Sequence, residues 1–227
     1  MSNFTGFPKE MITFFDQLSR NNSKVWFDEN RRDYEDFVKS PSIAFVESMR
    51  EKLRTIAPEI IAIPKVNQSL FRINRDTRFS HDKRPYKTNL GLWFWEGYGK
   101  RMECSGFYFH FEEGKIMLGV GIYMFPKTLL ERYRDLVVQD RAGKSLRKTV
   151  DQLSRKEYIL GGQHYKRIPH GFDGNHKNAD LLLQKGLTTI IDEKIPEVFH
   201  TKEIIDYSFK HFKAMAPLHY WLRDELT

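Results

Sequence analysis

The chain has 227 residues, 40% of them hydrophobic and 14% aromatic, a share of large apolar side chains that excludes a disordered chain. Its net charge of +7 favours anionic partners without choosing among nucleic acid, phosphorylated small molecules and acidic protein surfaces. One cysteine, Cys104, excludes an internal disulfide and a thiolate metal cluster, and no stretch approaches the ~18 apolar residues of a membrane-spanning helix. The opening MSNFTGFPKEM lacks a cationic region leading into an apolar run, so a cytoplasmic protein with no membrane partner is expected.

At this length one domain over 1–227 is expected, with a helical part over 1–58, a sheet core with a basic loop over 66–125, and helices plus a late strand over 126–227. Pro8 suits the start of a first helix, in which Met11, Phe14, Phe15 and Leu18 recur at helical spacing before Asn21 and Asn22. Ser23 is placed to cap a second helix whose stripe is Trp26, Phe27, Tyr34, Phe37 and Val38, and Pro41 opens a third, running to about Ala57. After Pro64 the period falls to two. Leu70, Arg72 and Asn74 then lie on one side of a predicted strand and Phe71 and Ile73 on the other. Leu90 to Trp95 is apolar on both faces, which predicts a central strand.

Ser105 to Phe125 reads as a long hairpin turning at Glu113-Gly114. Its register puts Phe107, Phe109, Phe111, Ile116, Leu118 and Val120 on one face. The other face pairs His110 with Met117, Tyr108 with Gly119 and Gly106 with Gly121, a recess open to either a packed element or a ligand. Pro126 starts a helical region with a break expected at Ala142-Gly143-Lys144, before a further helix from Leu146 to Tyr158. Glycines from Gly161 to Gly174 mark an irregular connection. Asn178 is placed to cap a short helix, Gly186 to Ile191 suits a late strand, and the C-terminal helix after Thr201 is expected to be interrupted by Pro217. The fold class is therefore α+β: an antiparallel or mixed β-sheet with a long hairpin, packed against N-terminal, central and C-terminal helices.

Three stretches, NNSKVWFDENRRDYEDFV, FRINRDTRFSHDKRPYKTNLGLWF and YKRIPHGFDGNHKNADLLLQKGL, together resemble the uncharacterised family labelled domain of unknown function 2461. The likeness runs in order through nearly the whole chain. It departs after His176, where the family often has proline and this chain has Lys177. The resemblance implies a widespread cytosolic protein and carries over no catalytic residue.

Chemistry has to be argued from the residues. From Arg72 to Lys87 six cations, Arg72, Arg75, Arg78, Lys83, Arg84 and Lys87, face only Asp76 and Asp82. Arg72, Asn74, Arg75, Arg78, Lys83 and Lys87 are the candidate anion-binding set, since guanidinium groups bind phosphate or carboxylate bidentately and ammonium groups add point charges. Asp76 and Asp82 would orient the arginines, and Tyr108 and His110 would lie nearby as a possible pocket. The competing reading is a solvated loop of structural ion pairs. His81, Asp82, His110, Asp173 and His176 are residue types that ligate metals or move protons, but none has a diagnostic spacing, so no metal and no cofactor are called for.

Three functions stay open. The first is an enzyme or binding domain for a phosphorylated or otherwise anionic small molecule. The second is a protein-interaction module for an acidic partner, and the third a nucleic-acid-binding accessory protein, the least favoured because the cations gather in one loop.

Overall fold

The computed structural model describes residues 4–226, so Met1 to Asn3, part of the stretch read above for a leader, lies outside the described residues. Pro8 precedes helix α1 (Lys9–Arg20), whose Met11, Phe14, Phe15 and Leu18 are buried as their spacing requires. Ser23 caps α2 (Lys24–Glu29), its Oγ accepting the Trp26 N–H at 3.2 Å. A single turn, α3 (Arg31–Asp33), and a π-helical turn (Tyr34–Lys39) then lead without a break into α4 (Ser40–Leu53). Pro41 supplies the cause of the wider turn: it has no N–H for the Phe37 carbonyl, and the ladder is carried instead by Ser40 N–H on Glu35.

Five strands follow: β1 (Asn89–Glu96), β2 (Ser105–Glu112), β3 (Lys115–Ile122), β4 (Ile159–Gln163) and β5 (Gln184–Lys194). They form one open antiparallel sheet in the order β1-β2-β3-β5-β4, and with the helices make an α+β fold. The hairpin turn is as read, with Glu113 (φ 47°) and Gly114 (φ 76°) both left-handed, the pair of conformations that matches strand twist. Strand β1 is not central. It ends the strand order, and the expected strand at Leu70 to Asn74 is an irregular segment that covers its outer edge. Trp93 N–H bonds to Ser69 O at 2.8 Å and Phe71 N–H to Gly91 O at 3.1 Å, which explains why an end strand is apolar on both faces.

The chain divides into two compact units, and β1, β2, β3 and β5 contribute residues to both. The first comprises Met1–Phe94, Tyr108–Met117 and Asp192–Lys210. Its core is a phenylalanine cluster in which Phe109 lies 4.7 Å from Phe45 and 5.6 Å from Phe7, and Phe111 lies 5.7 Å from Phe15 and 5.4 Å from Phe199, centroid to centroid.

The second unit comprises Trp95–Phe107, Leu118–Ile191 and His211–Thr227. It contains α5 (Lys127–Val138) and α6 (Asp140–Ser154), which break at the extended Gln139 and not at Ala142-Gly143-Lys144. Gly143 is inside α6 because nothing larger fits: a Cβ there would run into the Val137 carbonyl and meet Asn178 Nδ2 at 2.9 Å. Asn178 does not cap the 3-10 turn that follows it (Ala179–Leu183). Buried, it donates to Val137 O and Gly143 O at 2.9 and 3.1 Å and so ties the α5–α6 corner. Part of the connection expected to be irregular is β4, with a bulge between Gly161 and Gln163. The last helix, α7 (Ile204–Trp221), spans the boundary between the units along the chain and passes through Pro217 uninterrupted. Pro217 and Lys213 are both exposed, so the Lys213 carbonyl that loses its donor meets water.

Gly121 tests the reading of strand glycines as points of close approach. Its φ is +137°, and a Cβ there would strike the Leu187 carbonyl and the Thr188 Cα of β5, so an adjacent backbone fills the recess at this position. Gly114 also has a positive φ, but a Cβ would meet nothing within 4 Å. Gly121→Ala should therefore lose about 2 kcal/mol or more in chemical denaturation, against about 1 kcal/mol for Gly114→Ala. Equal losses would mean that strain alone, and not the β5 backbone, governs position 121.

Candidate functional site

The basic stretch folds back on itself as a two-stranded ribbon. Arg75 N–H bonds to Pro85 O and Lys87 N–H to Ile73 O, both at 2.8 Å, with Asn74 opposite Tyr86. Asn22 holds the ribbon to the N-terminal helices as a strand would. Its Nδ2 donates to Tyr86 O and its Oδ1 accepts the Tyr86 N–H, each at 3.0 Å, while Phe27 stacks on the Tyr86 ring at 4.2 Å.

Four of the ribbon's six cations have partners within it, although two aspartates offset only part of the charge. Arg78 grips Asp76 through Nε at 2.9 Å and Nη2 at 2.7 Å. Asp82 takes Arg84 Nη2 at 2.7 Å and Arg75 Nη1 at 2.5 Å, and Lys83 Nζ donates to Thr77 O at 2.9 Å. The Arg78 hydrogen bonds hold the Asp76 carboxyl far below the usual carboxylate range, and those of Arg84 and Arg75 do the same for Asp82. Both aspartates also accept the backbone N–H two residues on, so they shape the turns as well as pairing the arginines. Arg72 and Asn74 are exposed, as is Phe79, which is 94% accessible beside the Arg78 guanidinium.

A second arrangement lies on the polar face of β2. Tyr108 OH is 3.0 Å from His110 Nδ1, and His110 Nε2 is 3.3 Å from Glu112 Oε2, a row of three residues at strand spacing. Gly91 makes room for the phenol: a Cβ there would stand 2.7 Å from Tyr108 OH. Burial, and secondly the charge of Glu112, push the Tyr108 phenol up to about 12.

The residue that reaches this row is Phe71, just before the basic stretch, and Lys87 of the stretch lies over its ring. The Phe71 ring meets Tyr108 edge-on at 6.0 Å, and Lys87 Nζ stands over Phe71 at 5.5 Å. Arg72 and Asn74 are on the other side of the irregular segment, and Asp76 and Asp82 are engaged within the ribbon. The remaining candidates are dispersed: His81 is exposed, Asp173 accepts from Asn175 N–H at 2.9 Å, and His176 Nδ1 accepts from Asn178 N–H at 3.1 Å. Among the described residues no group of three or more His, Cys, Asp or Glu is arranged to hold a metal ion, and no helix is long and apolar enough to cross a membrane.

One cluster in the second unit has no sequence signal. His219 Nδ1 lies 2.9 Å from Ser105 Oγ, its Nε2 lies 2.8 Å from Glu96 Oε2, and Arg223 Nη1 reaches the same carboxylate at 3.1 Å. The order of groups is that of a nucleophile, a base and an acid, but Ser105 and His219 are fully buried, so no substrate reaches the hydroxyl. It is a satisfied polar network whose members are up to 127 residues apart in the chain.

The Tyr108 environment has a measurable pH consequence. The unfolded chain ionises this phenol near 10.0 and the folded chain keeps its proton to about 12, so the contribution is complete below pH 10 and lost as pH rises towards 12. Tyr108→Phe should make the fall in denaturation midpoint between pH 10 and pH 12 shallower than in the parent. Tyr34, also pushed up to about 12 by burial, remains as background in both. Parallel curves would show that Tyr108 is not in this environment.

Comparison with curated proteins found no match. A family model described as conserved hypothetical protein (DUF2461) matches residues 10–221. That span contains both the ribbon and the Tyr108–His110–Glu112 row, and the chain belongs to this family.

Proposed function

We propose that the protein is an enzyme or binding domain for a phosphorylated or otherwise anionic small molecule, held where the ribbon meets the Tyr108–His110–Glu112 row. The observation that supports this reading is the contact chain from Lys87 through the Phe71 ring to Tyr108, which links a cation of the basic stretch to the polar row. With His110 donating through Nε2 to Glu112, its Nδ1 accepts from the Tyr108 hydroxyl. In that tautomer the imidazole, held by Glu112, fixes the direction of the Tyr108 hydroxyl, which keeps its proton and can donate a hydrogen bond. Arg72, exposed on the other side of the segment and without a carboxylate pair among the described residues, contributes to this site only through its charge.

A second reading rests on Phe79. A nearly bare aromatic ring flanked by Arg78, on a ribbon that keeps a net positive charge, suits an acidic protein surface better than a small ligand.

Calorimetry with inorganic phosphate and pyrophosphate tests the first reading. Lys87→Ala should weaken pyrophosphate binding about tenfold, the scale of losing a charge-assisted hydrogen bond, and Arg72→Ala, on the other side of the segment, by less. Binding that neither change affects would remove the ribbon from the site. For single-stranded oligonucleotide, six phosphate contacts would give a log K against log salt slope of about −4, and that result would transfer the assignment to nucleic acid.

A further inference from the structure

Helix α6 carries a basic surface that the ribbon does not explain. A groove of about 340 Å³ opens along its solvent side, with Lys144, Arg147, Lys148 and Arg155 from the helix and its end and Lys177 from the loop before the 3-10 turn. The helical residues recur at i, i+3, i+4 and i+11, opposite the buried Ala142, Leu146, Val150 and Leu153, and span about 16 Å at 1.5 Å per residue. Five cations meet one lining carboxylate, Asp151.

An ordinary solvated helix face alternates its charges, so the pairing of these cations matters. Arg147 is fully engaged: Nε donates to Asn178 Oδ1 at 3.1 Å, Nη2 pairs with Asp180, and Nη1 is 3.8 Å from Asp151. Lys144 and Lys177 share Asp140 at 3.7 and 3.4 Å, and that carboxylate is 89% exposed, so the pairs are loose. Among the described residues Lys148 and Arg155 have no carboxylate partner. Arg147, tied to the buried Asn178, is therefore a rigid wall, and four cations beside it are available to a ligand.

The lining contains no aromatic side chain, hence no platform for stacking a base, and apart from Asp151 its only other member is Gln152. Such a groove recognises charge and not a ring system, and its volume is at the lower end for small-molecule sites. We propose that it binds a compact ligand carrying two or more adjacent phosphoryl groups, contacted by Lys144, Lys148, Arg155 and Lys177.

The test is calorimetry of the full chain with inorganic triphosphate at low salt. Lys148→Glu combined with Arg155→Glu should weaken binding at least about tenfold, and Lys148→Gln with Arg155→Gln should fall between that and the parent. The glutamine pair also serves if charge reversal disturbs folding, which circular dichroism would show. Lys9→Gln with Lys213→Gln, exposed cations outside both the groove and the ribbon, should leave triphosphate binding unchanged. No binding by the parent, equal binding by the Glu and Gln variants, or equal loss in the Lys9 and Lys213 variant would each overturn the proposal. So would an oligonucleotide that binds through Lys148 and Arg155 more tightly than triphosphate, since the groove would then serve a macromolecule.

Discussion

The alternation of β2 is the constraint on which the placement of functional groups depends. Phe107, Phe109 and Phe111 are each removed from water, at roughly 1.5 to 3 kcal/mol per side chain. A register slip of one residue would expose all three and force Tyr108, His110 and Glu112 into their place. No polar contact in the row is strong enough to offset that. The hydrogen-bonded row is thus a by-product of hydrophobic burial on the opposite face: the core decides that a phenol, an imidazole and a carboxylate stand side by side, and Gly91 only has to leave room for the first.

The ribbon shows a different economy of charge. Its arginines are near one another in sequence, and two aspartates placed between them take up Arg75, Arg78 and Arg84. Exposed ion pairs of this kind add little stability individually. Their effect is conformational, because each aspartate fixes a turn through its own backbone contact while holding a guanidinium still. Three of the arginines in this stretch are therefore held in place, although six cations against two aspartates leave it net positive. The α6 groove differs in that, among the described residues, Lys148 and Arg155 have no carboxylate partner.

How far the sequence reveals this structure depends on the range of the interactions. Local periodicity suffices for α1, for the Ser23 cap and for the Phe face of the hairpin, since each is decided by neighbours within a few residues. It misleads at β1, where apolarity on both faces reflects cover by residues 69 to 71 and not a central position. The helix punctuation misleads for a related reason. Gly143 and Asn178 look like a break and a cap, but they are one contact seen from two sides, 35 residues apart. For the candidate site, the basic stretch is visible in composition, whereas the choice of Phe71, with Lys87 over its ring, and not Arg72 or Asn74 as the contact to Tyr108 depends on which side of an irregular segment faces the sheet. The Ser105, His219 and Glu96 network has no local trace at all.

The pair of hydrogen bonds between Asn22 and Tyr86 closes a loop of 64 residues. Closing a flexible loop of that length costs about 4 kcal/mol of chain entropy beyond the constant term, more than two part-buried hydrogen bonds typically return. The turn within the ribbon spans far fewer residues and closes cheaply by itself. During folding the ribbon can therefore form early as a local structure yet remain undocked until α1, α2 and the phenylalanine cluster have already brought the chain ends of that loop together. Its amides should report this timing, with the Tyr86 N–H gaining protection only when the N-terminal helices do.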